Sequence, residues 1–270
     1  MKKTFLLLII FSITYTLKCQ NLKSIVKDIA KINEVQFDDQ SGKYQNFINF
    51  EKLKKKASVV QLLDLINNEN DVVACYSSFA LIDLNYNHID EIFANLLEKN
   101  NKVKTLDGCL YDEEEVPYLF YNYFNFNSNS EENIKAKIIS KLDSISLYNG
   151  KSKFLTNKVL EKRISDKFNE QIKYLAYQKK NLAALFYISN WKIEYDESTI
   201  KKAWLNYINN TEISNEYLDF NYATVDKILN LNDIDLTNSI LNKMKLNKEK
   251  WQYEKDNYNN VFNKYNLKIE

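Results

Sequence analysis

Glycine and proline are almost missing from this chain: there are three glycines, Gly42, Gly108 and Gly150, and a single proline, Pro117. Tight β-turns draw heavily on both residues, so their scarcity argues against a fold of many short strands, whereas helices need neither. Histidine is as scarce. His88 stands alone in the asparagine-rich turn Asn85-Tyr86-Asn87-His88, which marks it as an exposed turn residue. Neither it nor the cysteines show metal-ligand spacing, and no nucleophile-elbow or phosphate-loop pattern occurs, so no catalytic, metal or cofactor residues are assigned.

An excess of one charge is lacking too. The chain has 37 basic and 36 acidic residues, and three of the lysines but none of the acids lie in residues 1–19. The chain beyond residue 19 is therefore slightly acidic, which excludes a general attraction to nucleic acid or to anionic lipid. Membrane contact is expected only if Cys19 carries lipid.

The amino terminus has three parts: Met1-Lys2-Lys3, an apolar run from Phe5 to Ile13, and the polar Thr14-Tyr15-Thr16 before Cys19-Gln20. That order is the pattern of a secretory signal, and the apolar run is well short of the ~20 residues that span a bilayer. Lys18 before Cys19 fits a lipoprotein site poorly. Cleavage between Cys19 and Gln20, with export to the periplasm or the medium, is expected; a lipid-modified Cys19 on the outer membrane is the alternative.

Helical spacing fills the rest. Val59, Val60, Leu62, Leu63 and Ile66 recur at three- and four-residue steps, and Val72, Cys75, Tyr76, Phe79, Ala80 and Leu84 do so again after a polar turn. A third helix is expected through Ile92, Phe93, Leu96 and Leu97. Neither of the first two stripes is buried alone, so the spacing predicts antiparallel helix pairs. Residues 20–56 read as an amino-terminal capping helix and loop, with Leu22, Ile25, Val26, Ile29 and Ile32 on its buried side. Asn100 to Tyr111 reads as irregular. Asp112 with Glu115 three residues on reads as a capping box for a helix through Leu119, Phe120, Tyr123 and Phe124, with Pro117 in its first turn. The four acids Asp112 to Glu115 lack the alternating donors and glycine of a calcium loop.

A polar joint at Asn125 to Ser130 separates residues 57–126, the first repeat region, from residues 127–270. In the second part Ser130 is expected to cap a helix ending at Asn149-Gly150, and a long helical span runs on from Thr156 to Leu175. The cluster Leu182 to Ile188 echoes Phe79-Ala80-Leu81-Ile82, each succeeded by a polar turn and an amphipathic helix, as degenerate repeats require. Asn209-Asn210-Thr211 is a formal glycosylation triplet that a bacterial export route leaves unused. The tail through Trp251, Tyr258 and Phe262 is expected to be a capping helix or partly mobile.

The stretches Val73-Ala74-Cys75-Tyr76-Ser77-Ser78-Phe79-Ala80-Leu81 and Asn101-Lys102-Val103-Lys104-Thr105-Leu106-Asp107-Gly108-Cys109 resemble exported HEAT-like repeat proteins of Bacteroidetes. Ala74 stands where members of that group often carry arginine. The resemblance covers about residues 57–124 and implies an all-α, HEAT-like α-solenoid of antiparallel helix pairs, exported and with no assigned enzyme activity. Cys75 and Cys109 lie 34 residues apart and both fall within the resemblance. After export they are expected to form a disulfide, a closure that contributes roughly 3 to 4 kcal/mol in the chain-entropy picture. Two buried free thiols are the alternative.

A stacked helical array presents an extended surface that can hold another chain. The expected function is non-enzymatic binding or scaffolding in the cell envelope, with another protein or peptide held along the groove. A hydrolase of envelope polymers using carboxylates such as Glu194 and Asp196 is the alternative.

Overall fold

A computed structural model describes residues 22–37, 44–193, 196–214 and 220–269. The expected signal segment lies outside the described residues. The chain divides into two compact units, Met1–Leu155 and Thr156–Glu270. Helices dominate both, with mostly local helix-pair contacts.

The first unit contains helix over residues 22–32 (α1), then β1 (Val35–Gln36), α2 (Gln45–Lys56), α3 (Val59–Leu65), α4 (Asp71–Asp83), α5 (Ile89–Lys99), β2 (Lys102–Asp107), β3 (Leu110–Glu115), α6 (Val116–Asn127) and α7 (Glu132–Asn149). Its centre is α4. Apolar and small residues occupy every side of this helix, and Val72 through Ile82 are buried without a break. A helix apolar all round must be covered all round. Accordingly α4 packs against α2, α3, α5, α6 and both β1 and β2. Its buried serines satisfy themselves: Ser77 donates to the Val73 carbonyl at 2.8 Å and Ser78 to that of Cys75 at 2.6 Å. Asn70 caps its start by accepting from the Val73 amide at 3.1 Å.

Aromatic rings fill the space between these helices. Phe50 of α2 stacks on Tyr76 at 5.0 Å, and Phe79 stacks on Tyr123 of α6 at 4.1 Å. The amino-terminal helix packs into this core: Leu22, Ile25 and Ile29, with Phe50 and Leu53 of α2, are buried in the same cluster as α4. Asn46, itself fully buried, fastens it by donating to the Glu34 carbonyl at 2.6 Å.

The sheet corrects the sequence reading. The stretch expected to be irregular and the acids expected to cap a helix form an antiparallel hairpin, with β1 added in parallel in the order β1-β2-β3. Gly108, at φ +59°, takes the first position of the two-residue turn, where a left-handed backbone is required. No capping box forms at Asp112: both Asp112 and Glu115 lie in β3, and α6 starts at Val116 with Pro117 in its first turn as expected. Register then sorts the side chains. Thr105, Asp107, Leu110, Asp112 and Glu114 share one face, while Lys102, Lys104, Glu113 and Glu115 share the other.

The unit continues past the joint expected at residues 125–130. α7 packs on α5 and α6, and buried Asp143 accepts from the Tyr121 hydroxyl at 2.7 Å. Ser130 does not cap α7, whose N-cap is Glu131 without a side-chain bond; Gly150, at φ 64°, ends the helix as the sequence predicts.

The second unit takes in most of α8 (Lys153–Leu160), then α9 (Asn169–Tyr177), α10 (Leu182–Trp191), α11 (Glu197–Asn210), α12 (Tyr222–Leu229), α13 (Ile234–Leu246), the short α14 (Lys248–Trp251) and α15 (Lys255–Lys264). The expected long span from Thr156 to Leu175 is broken between Leu160 and Asn169, with a 3₁₀ turn at Asp166–Phe168. α9 and α10 pair across a turn in which Lys180 has φ 54° and Asn181 accepts from the Ala184 amide at 2.9 Å. α10 packs on α11, α11 on α13, and α12 on both α13 and α15. Buried Trp204 donates its indole N–H to Ser189 at 3.0 Å. The tail is docked: Tyr258 and Phe262 are buried, and Lys264 pairs with Asp226 of α12 at 2.9 Å.

Candidate functional site

The second unit carries a groove of about 380 Å³ between α8, α10 and the start and end of α12. Leu160, Leu182, Ala183 and Phe186 give it an apolar floor, and the carboxamides of Asn157, Asn190, Asn221 and Asn230 surround that floor. The local sequence explains the split. α10 reads Leu-Ala-Ala-Leu-Phe-Tyr-Ile-Ser-Asn-Trp, so its inner residues pack on α9 and α11 while Ala183 and Phe186 are left half-buried along the groove. Phe186 is held from behind by the Trp204 ring at 4.6 Å. In front, Lys227 places its ammonium 5.4 Å from the Phe186 ring centroid.

Tyr187, Asn157 and Thr224 are the buried polar residues of the lining. The Tyr187 hydroxyl accepts from the Ile164 amide at 2.9 Å. Asn157 is 7% exposed, and its Nδ2 has no acceptor among the described residues. A buried amide donor without a partner costs about 1 to 3 kcal/mol, so an acceptor brought against this side chain is favoured. Asn221 is already engaged, accepting from the Thr224 amide at 2.9 Å to cap α12.

Charge is sparse in this groove. Glu161 is paired with Lys158 at 3.0 Å, which leaves Lys227 as the cation of the rim among the described residues. Carboxamides both donate and accept, so the lining matches uncharged groups that do the same. The asparagine signal was present in the sequence, but asparagine is common along the whole chain, and only the fold selects the four that converge.

The residues singled out in the sequence fall elsewhere. Cys75 is buried in α4 and Cys109 is exposed in the hairpin turn, and both are free thiols in this structure. Burial, with Asp71 nearby, pushes the Cys75 thiol well above its usual range. His88 lies exposed at the start of α5, 2.9 Å from Glu91. Asp196 accepts from Thr199 Oγ1 at 2.6 Å and from the Ser198 amide at 3.0 Å, contacts that hold its carboxyl below the usual range and fix it as the cap of α11. Glu194, its expected catalytic partner, lies outside the described residues. Among the described residues no group of three His, Cys, Asp or Glu side chains is arranged to hold a metal ion, and no helix is long and apolar enough to cross a membrane.

Compared with protein-family models, with curated proteins and with solved structures, the chain matches none.

Proposed function

We propose that this protein is a non-enzymatic binding or scaffolding protein of the bacterial cell envelope, built on a HEAT-like helical array, that holds an uncharged extended segment of another protein in the groove between α8, α10 and α12. The observation that carries this reading is the buried Asn157 Nδ2 without an acceptor, set in a lining of carboxamides over an apolar floor. A peptide main chain supplies a carbonyl to such a donor and an N–H to a neighbouring carboxamide oxygen, and an apolar side chain of the segment covers Phe186. Export rests on the three-part amino terminus and gives the segment an envelope setting.

Isothermal calorimetry of peptides selected on an array tests this. Asn157→Leu removes the donor and should weaken binding about tenfold or more, and Phe186→Ala should weaken it comparably, with the helical circular dichroism of both variants kept. Selected peptides that bind both variants as well as the parent protein, or an array that yields none, would count against the groove.

A further inference from the structure

The hairpin and α6 of the first unit enclose a second groove, also about 380 Å³, on the face of the hairpin that carries Asp107 of β2 and Asp112 and Glu114 of β3. We infer that this groove binds a lysine- or arginine-rich segment of a partner protein, a site independent of the amide-lined groove.

Charge complementarity is the first argument. Three carboxylates line the groove and, among the described residues, no lysine or arginine does. Register fixes this asymmetry: Lys102 and Lys104 of the hairpin pair with Glu115 and Glu113 on the opposite face. Burial, then Asp112 and Glu115, push Glu114 above the usual carboxylate range, with Lys102 opposing more weakly. An incoming cation relieves that repulsion.

The second argument is independent of the acids. Thr105 is 6% exposed and lines the same groove, yet its hydroxyl makes no hydrogen bond within the described residues. It therefore presents a free donor and acceptor at the bottom of an acidic wall. Tyr118 and Phe126 of α6 form the facing side, and Phe126 is 77% exposed. Aromatic rings opposite carboxylates suit the long alkyl stem and cationic head of lysine or arginine.

One contact sets the mode of docking. Asp112 Oδ1 accepts from the Glu113 amide at 2.7 Å, which covers a main-chain donor of this edge strand. That contact disfavours strand addition at Glu113 and leaves the groove side chains as the contact for a partner. The three acids do not converge as a metal site, which favours cations spread along a segment over a single ion.

Fluorescence anisotropy of the folded protein with a labelled peptide alternating lysine and threonine tests the inference, with the glutamate counterpart and free spermidine as the other arms. The lysine peptide should bind, weaken with added salt, and lose about tenfold in affinity in an Asp112→Asn, Glu114→Gln double variant, which keeps the acceptor for the Glu113 amide. Phe186→Ala, in the other unit, should leave it unchanged, so the two sites fail separately. Equal binding of the lysine and glutamate peptides, full affinity in the double variant, or no peptide binding would overturn the inference. Spermidine binding as tightly as the peptide would overturn the commitment to a protein segment.

Discussion

The Tyr76 hydroxyl bonds both ways with a single residue of β1, accepting from the Gln36 amide at 2.7 Å and donating to the Gln36 carbonyl at 3.0 Å. The central helix thereby satisfies the backbone of a two-residue strand that, among the described residues, pairs only with β2. Tyr76→Phe keeps the ring stacked on Phe50 and removes only the oxygen. It should lower stability by about 1 to 3 kcal/mol, because two partly buried backbone groups lose their partner. Urea unfolding followed by circular dichroism measures this, and an unchanged midpoint would show that water replaces the hydroxyl without loss.

Alkaline pH should unfold the protein cooperatively. Burial raises Tyr76, Tyr121, Tyr123 and Tyr258 well above the usual phenol range, with nearby acids such as Asp143 and Asp83 adding to the effect at Tyr121 and Tyr123. The unfolded chain loses these protons near pH ~10 while the folded chain keeps them, so stability is complete below that pH and falls as pH rises through it. Tyrosinate absorbance for this group should appear together with loss of helix. Its appearance in a chain that stays helical would contradict the burial.

Much of the helical order was legible, and the reasons for the misses differ. The stripe through α4 was found because its apolar positions recur, but its opposite side, with Ser77, Ser78 and Ala74, looks solvent-tolerant unless six neighbouring elements are known to surround it. Val60 shows the converse. It fits the α3 spacing yet is 76% exposed, since Leu62 and Ile66 alone are fully buried from that stripe. The hairpin was missed because acids before an apolar run also suit a helix start. Gly108 was the available signal for it, glycine being favoured at the first position of a two-residue hairpin turn. Neither groove was legible, because each joins residues from separated elements.

Gly108 should be sensitive for a reason of backbone alone. Its φ is +59°, and a Cβ there would meet nothing within 4 Å, so packing is not at stake. Gly108→Val should cost about 1 to 2 kcal/mol through the left-handed backbone, and Gly108→Asn clearly less. Thermal unfolding of the two variants distinguishes this from a steric effect, under which asparagine would be no better than valine.

The two thiols should react at very different rates. Cys109 is exposed in the turn and Cys75 is buried with its thiol held protonated. Iodoacetamide treatment and peptide mapping should find Cys109 alkylated in the folded protein and Cys75 only after denaturation. A non-reducing map joining the two peptides in exported protein would instead establish the disulfide.

Photocrosslinking from the amide-lined groove in the native cell tests the binding account most directly. A benzophenone side chain at Asn190, on the rim of the groove, should yield adducts to one extended, uncharged protein segment, and Asn157→Leu in the same chain should abolish them. The same probe at Leu246, 81% exposed and outside this groove, should yield none of those adducts. Identical adducts from both positions, or adducts that survive Asn157→Leu, would contradict a segment held in this groove.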